Sequence, residues 1–166
     1  MRVNLGCGDR YADDWINVDH SGCPHKKDLT LDIRSHLPWP EGSLTRVYAG
    51  HVFEHLHVYQ VLDVLEHLKP CMAPDGQLLM VGPDVDVALG MQIGGAVLEV
   101  PLEQLKYGAG RWSGDVHRWE CTQPSMHKML LVTGWKADYV HWDSIPEEWP
   151  IAERGPRWQR AVLARP

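Results

Sequence analysis

Two glycines and an acid near the start of the chain have types and a spacing suited to chemistry. In "VNLGCGDRYADDWINVDH", residues 3–20, Gly6 and Gly8 follow a short apolar run, and Asp19 closes a second one. Glycines there let the backbone bend sharply and approach a ligand with no Cβ between, so main-chain N–H groups meet polar ligand atoms. A carboxylate at the next strand end accepts hydrogen bonds from both hydroxyls of a ribose. The competing reading is a tight structural bend followed by a surface acid. The loop carries neither GxGxxG nor GxxxxGK[ST], and no helix follows to face a pyrophosphate with its amino end. A nucleoside ligand without phosphate fits better than a dinucleotide or a nucleoside triphosphate.

Other reactive side chains come later. In "HVFEHLHVY", residues 51–59, His51 and His55 stand four apart with Glu54 beside them. On a helix the two imidazoles share a face, but a metal site wants a third and a fourth ligand and the motif is not HExxH, so no metal is expected. Glu54 and His55 serve equally well as hydrogen-bonding anchors of the helix start. A metal-dependent hydrolase using His51, His55 and another acid is a further class. Asp84 in "VGPDVD" has two readings, a general base at the rim or the cap of a following helix; Asp86 competes weakly for either. His117 in "DVHRWE" suits proton removal near neutral pH, and Trp119 suits stacking on a flat acceptor or sealing the core, with Trp39 and Trp112 as other walls. Cys7, inside the turn and without a histidine partner, reads as pocket lining rather than as a nucleophile.

The elements that must position these groups follow from hydrophobic period. Residues 1–5 and 15–19 read as strands, and the link between them is too short for a full crossover helix, so residues 9–14 form a turn or a single helical turn if the two are parallel neighbours. Residues 29–33 suggest a short third strand, and Pro38, Pro40 and Gly42 then oppose regular structure. Residues 46–50 read as a central strand. Val58, Val61, Leu62, Leu65 and Leu68 mark one face of a helix over 57–69 ending near Pro70. "APDG", 73–76, predicts a turn into a buried strand over 77–83. A short helix is expected within 86–98, and a second over 124–135, opened by Pro124 and stopped by Gly134. Residues 137–145 and 157–164 read as final strands. This order favours a single three-layer α/β domain over residues 1–166.

Composition narrows the class. Of 166 residues, 44% are hydrophobic and 23% charged, with no apolar run long enough to cross a membrane. Neither a basic leader nor a cleavage site opens the sequence, so a cytoplasmic location is expected. Cys7, Cys23, Cys71 and Cys121 are too dispersed for a ligand pair or a compact disulfide framework. The formal net charge of −6 argues against a broad grip on nucleic acid, without excluding a local patch. Arg154, Arg157, Arg160 and Arg165 make the tail locally basic; alternating with apolar residues, they read first as a solvated edge strand and second as a phosphate contact. Apolar sheet edges and the Trp-rich tail permit a homodimer.

Five stretches in order, "VNLGCG", "WINVD", "LDIRSHLPWPEGSLTRVYAGHVFEHL", "LKPCMAPDGQLLMVGPDVD" and "HRWECTQPSMHKMLLVTGW", together resemble the landmarks of a small class I S-adenosylmethionine-dependent methyltransferase, over about residues 3–135. The abbreviated first loop is similar to a short bacterial and phage branch of these enzymes. The resemblance implies a doubly wound, Rossmann-like sheet with a shortened first helix and a final antiparallel strand. It implies S-adenosylmethionine as methyl donor, S-adenosylhomocysteine as product, and an unidentified acceptor, small molecule or macromolecule. Gly6, Cys7 and Gly8 would border the methionine part, Asp19 would bind the ribose, and Asn4 stands where an acid is frequent. Asp32 would meet the adenine amino group with Ile33 beside it, and Gly50 and His51 would line the sulfonium side. Candidate catalytic residues are Asp84, His117 and His55. The alternative is a non-catalytic binding or assembly module that keeps the fold without the transfer.

Overall fold

In the computed structural model, which describes residues 1–111, 114–150 and 158–166, the link between the first two strands decides the architecture. Strand β1 (Arg2–Leu5) pairs in parallel with β2 (Ile16–Asp19), Val3 opposite Ile16 and Leu5 opposite Val18. Their connection contains no helix. A buried amide network takes its place. The Asn17 Nδ2 donates to the carbonyls of Ala12 and Trp15 and to Asp28 Oδ2, while its Oδ1 accepts from the Ala12 N–H and from Asn4 Nδ2. Asn4 Nδ2 also donates to the Arg10 carbonyl. Both asparagines are buried, so each of these bonds replaces one to water that folding has removed.

From β2 the chain reaches a two-residue strand, β3 (Leu29–Thr30), which is shorter than the 29–33 span predicts because residues 32–35 close a turn, the Ser35 N–H donating to the Asp32 carbonyl. It then returns across β1 to β4 (Leu44–Gly50) and, through helix α1 (Val58–Leu68), to β5 (Met72–Pro83). "APDG" is not a separate turn. Strand β5 begins at Met72 opposite Leu44, and the register then shifts so that Gln77 faces Arg46, absorbing residues 73–76 as an irregularity within the strand. Helices α2 (Val85–Ile93), α3 (Leu102–Tyr107) and α4 (Gln123–Val132) follow, then β6 (Lys136–Val140) and β7 (Gln159–Arg165).

The seven strands lie in the order β3-β2-β1-β4-β5-β7-β6, parallel except for β7, which runs antiparallel to both neighbours. The basic tail is therefore not an edge strand. Ala161, Val162 and Ala164 are buried between β5 and β6, and the edge falls to β6. Arg165 pairs with Asp138 across that edge, and Arg154, Arg157 and Trp112 lie outside the described residues.

One sheet face, with Val3, Leu5, Val47, Ala49, Leu78 and Met80, packs on Leu65 and Leu68 of α1 and Met126 and Leu130 of α4. The opposite face, with Tyr48, Leu79 and Val81, is covered by Trp15, Ile145 and Trp149. Those three stand in loops rather than helices, so this layer is thin; the Trp15 and Trp149 rings meet at 5.5 Å. Large aromatic side chains bury as much area per residue as a sparse layer can offer. Helices α2 and α3 add a third cluster around Ala88, Leu105 and Trp158. Among the described residues no helix is long and apolar enough to cross a membrane.

Asn17→Ala is expected to lower stability by about 3 kcal/mol in urea unfolding, since it strips partners from several buried backbone groups at once. The Asp28 carboxyl is pulled from its ordinary 3.8 to about 2 by the Asn17 backbone N–H, the Tyr11 hydroxyl and the Asn17 amide. Because the folded value is the lower one, its contribution is complete above the ordinary value and is lost as pH falls toward the folded one. Urea midpoints between neutral pH and about pH 3 should drop less steeply in Asp28→Asn than in the parent chain.

Candidate functional site

The sheet order reverses between β1 and β4, because the chain winds outward from β1 to β3 and then crosses back. In such sheets the crevice beyond the carboxyl ends of the two flanking strands is where ligands enter. Gly6–Gly8 form one lip, directly after β1, and His51 and Val52 the other, directly after β4.

Gly6 and Gly8 both have positive φ, +61° and +54°. The two glycines differ in surroundings. A Cβ on Gly6 would stand 2.2 Å from Val52 Cγ2, so Gly6 is needed for the two lips to close on each other. A Cβ on Gly8 would meet nothing within 4 Å, so here the bare main chain borders open space. Asp19 reaches this turn from the end of β2. Its Oδ2 accepts the Gly8 N–H at 2.8 Å and its Oδ1 accepts the His20 N–H at 2.7 Å, with the side chain buried. The turn and the acid thus share one rim. Asn4 sits beneath, its amide engaged with Arg10 and Asn17, and holds the loop rather than opening onto it. Cys7 is buried against the Lys26 carbonyl, and burial, reinforced by the Asp19 charge, pushes its thiol up to about 11. A thiol so held stays protonated at neutral pH and makes a poor nucleophile.

Asp32 lies after β3, exposed, and clasps Arg34 through both carboxylate oxygens while also accepting the Arg34 N–H. This is the turn-capping arrangement; the Arg34 side chain holds the Asp32 carboxyl below its ordinary value. Ile33 beside it is buried in the main core.

On the other lip, Gly50 ends β4, and His51 is the non-glycine residue of positive φ, +57°, among the described residues. Its N–H donates to the Val81 carbonyl. Its Nδ1 lies 3.1 Å from Glu54 Oε1, and its Nε2 is buried with no hydrogen-bond partner among the described residues. Non-glycine residues in this region carry strain of about 1–3 kcal/mol, which the packing around them must hold. Glu54 is the middle residue of a short 3-10 turn, Phe53–His55, and is almost fully buried. Burial pushes its carboxyl up, but the His51 hydrogen bond and the nearby imidazoles of His51, His55 and His117 outweigh this and hold it below its ordinary value.

His117 joins this group from far along the chain. The Arg118 N–H donates to the Glu54 carbonyl at 2.7 Å and Trp119 Nε1 to the Phe53 carbonyl at 3.0 Å, strapping residues 117–119 onto 53–54. The His55 and His117 rings lie 5.0 Å apart, edge to face. His117 Nδ1 is 2.7 Å from the Leu105 carbonyl, and burial pushes its imidazole below the ordinary value. Trp119 is thus fixed by its indole N–H at the edge of the core, and Trp39 is buried in the core itself.

Asp84 takes the capping role. Its Oδ1 accepts the Val87 N–H at the start of α2 and its Oδ2 accepts the Gln123 N–H, leaving a buried carboxylate committed to the backbone. The structure therefore gathers Asn4, Gly6, Cys7, Gly8 and Asp19 on one lip and Gly50, His51, Glu54, His55 and His117 on and behind the other, with Asp32 and Asp84 engaged in turns of their own. The pairing of Glu54 and His55 with His117 is the part that sequence reasoning missed. No local signal announces it, because the strap that delivers His117 is irregular chain.

No sequence-family model matches the chain, and no curated protein matches it. Solved structures do. A methyltransferase dependent on S-adenosylmethionine from Mesorhizobium loti superposes with a TM-score of 0.62 at 17% identity, covering 100% of this chain and 90% of that one. One from Archaeoglobus fulgidus gives 0.61 at 15% identity, covering 99% and 85%. Human N-acetylserotonin methyltransferase in complex with SAM gives 0.60 at 15% identity, covering 99% of this chain but 46% of its own length. The fold is the class I methyltransferase type, Rossmann-like, with helices flanking a mixed sheet.

The contrast between the two glycines is measurable. Gly6→Ala should cost about 3 kcal/mol, from strained φ together with collision with Val52, whereas Gly8→Ala should cost only the conformational part, about 1–2 kcal/mol. In a Val52→Ala background the difference between them should shrink, as read from chemical denaturation midpoints.

Proposed function

We propose that the chain binds S-adenosylmethionine in the crevice between β1 and β4 and transfers its methyl group to an acceptor, releasing S-adenosylhomocysteine. The observation that carries this reading is the Asp19 carboxylate anchored on the Gly8 N–H beside a stretch of main chain that no side chain covers. The site has the features a nucleoside needs: an oriented anionic acceptor for ribose hydroxyls, and space where a Cβ would otherwise stand. The helix-free β1–β2 link supports a place in the short bacterial and phage-like branch.

Bound S-adenosylmethionine supplies an electrophilic methyl on a sulfonium. What the chain contributes is positioning. Asp19, held by two backbone N–H groups, presents its remaining lone pairs without having to reorient, which lowers the entropy lost on binding. Asn4 keeps the loop in place from below. Asp32 is suited to the adenine amino group once its clasp on Arg34 loosens, with the Ile33 backbone beside it. Gly50 and His51 border the reacting end, and the buried group behind them, with His55 and His117, faces the acceptor side. In this reading Asp84 serves as a cap, each of its oxygens accepting a backbone N–H.

Calorimetry with S-adenosylmethionine and S-adenosylhomocysteine tests the reading directly, and absence of binding by well-folded protein to both compounds would sink it. Asp19→Asn should weaken binding by roughly 10- to 150-fold, the worth of one or more hydrogen bonds to a charged group. An unchanged affinity would reject the ribose contact. Transfer itself is read from labelled methyl appearing on an acceptor in a screen of small molecules, nucleic acid and cell extract.

A further inference from the structure

We infer that Glu54, His55 and His117 form a binding site for a divalent transition-metal ion of the zinc class. One ligand atom from each lies within 4.8 Å of the other two. Two imidazoles and a carboxylate are the donor set of many catalytic zinc sites, and they leave at least one position for water or a ligand oxygen. Donor atoms sharing an ion at about 2.0–2.1 Å lie roughly 3.3 Å apart, so the three must close by at most about 1.5 Å, within reach of small side-chain rotations.

The surroundings already orient two of the three ligands, His117 and Glu54. His117 Nδ1, 2.7 Å from the Leu105 carbonyl, is placed to donate its proton there, which fixes the tautomer and leaves the Nε2 lone pair for an ion. Glu54 Oε1 is held by His51 Nδ1 at 3.1 Å, which orients the carboxylate and leaves Oε2 for coordination. The Arg118 and Trp119 bonds to the 53–54 backbone lock the strap that carries His117 onto the turn that carries Glu54 and His55. A buried carboxylate ringed by imidazoles, next to a strained His51, is costly to assemble unless a cation or a proton joins them.

The site lies just behind the crevice lip, since Val52, which touches Gly6, is separated from Glu54 only by Phe53. It does not depend on the methyl-transfer reading. His51 and His55 do not form a site by themselves; Glu54 and His117 join His55 to make three ligands, and His51 supports Glu54 from behind.

The test uses the purified chain after chelation and dialysis. Equilibrium dialysis with Zn²⁺, and the visible absorption of Co²⁺ as a spectroscopic substitute, should show one ion per chain. Glu54→Gln and His117→Asn should each weaken binding by about 10-fold or more, while His127→Asn, whose imidazole bonds the Ala137 carbonyl elsewhere, should not. No saturable binding, or binding that survives both substitutions, overturns the site. Should either variant fail to fold by circular dichroism, X-ray absorption at the zinc edge of the parent chain decides: a shell with two imidazoles and carboxylate oxygen supports the site, and a sulfur shell or water alone overturns it. Calorimetry with S-adenosylhomocysteine on metal-free protein runs in parallel, so that failure of the nucleoside reading and failure of the metal site are told apart.

Discussion

Everything at the crevice depends on keeping two parallel strands side by side with almost no chain to connect them. A parallel pair ordinarily needs a crossover of a dozen residues or more, usually a helix whose apolar stripe covers the sheet. Here residues 6–15 must turn back, so the backbone groups that a helix would have paired are left over. Asn17 resolves this by using both ends of its amide on that short stretch, and Asn4 and Asp28 complete the set. Such a network stabilises only when every member is satisfied. The bend at Gly6–Gly8 is the other half of the same solution, because only a left-handed backbone lets the chain leave β1 and return at once.

The missing helix also leaves a sheet face uncovered, and the aromatic content answers that. Trp15 and Trp149 lie against Tyr48, Leu79 and Val81. Their size replaces some of the buried area that a helical layer would give, and one of them belongs to the β1–β2 link itself. Local loop geometry and core formation on that side are thus the same event.

Much of this was legible in the sequence. The 3.6-residue period of residues 58–68, the apolar run at 77–83 and the Pro124 and Gly134 boundaries each matched a physical rule that operates within one element, and each element formed where expected. That the glycine turn and Asp19 share one rim was readable because the carboxyl ends of paired parallel strands lie together. What could not be read depended on partners distant in the chain. The 157–164 run looks like an edge strand until β6 is seen to lie outside it. "APDG" reads as a turn, but β4 draws it into a strand irregularity. Asn17 has no local sign of its role, since its partners are carbonyls that expose themselves only once the loop is bent. His117 likewise lies in irregular chain, and only folding shows that it meets Glu54 and His55.

The position of β7 carries a consequence for how the molecule is made. Residues 159–165 emerge from the ribosome after the six other described strands, yet they lie between β5 and β6 with hydrogen bonds on both sides. Until they arrive, β5 presents an open apolar border and β6, though packed on α4, has no described strand to pair with. The nascent chain must therefore carry that exposed border from the completion of β5 until residues 159–165 follow, and an unpaired strand edge is open to wrong pairing throughout that interval. Closure of the sheet is then a zipper inserted from the middle, not a strand added to the rim.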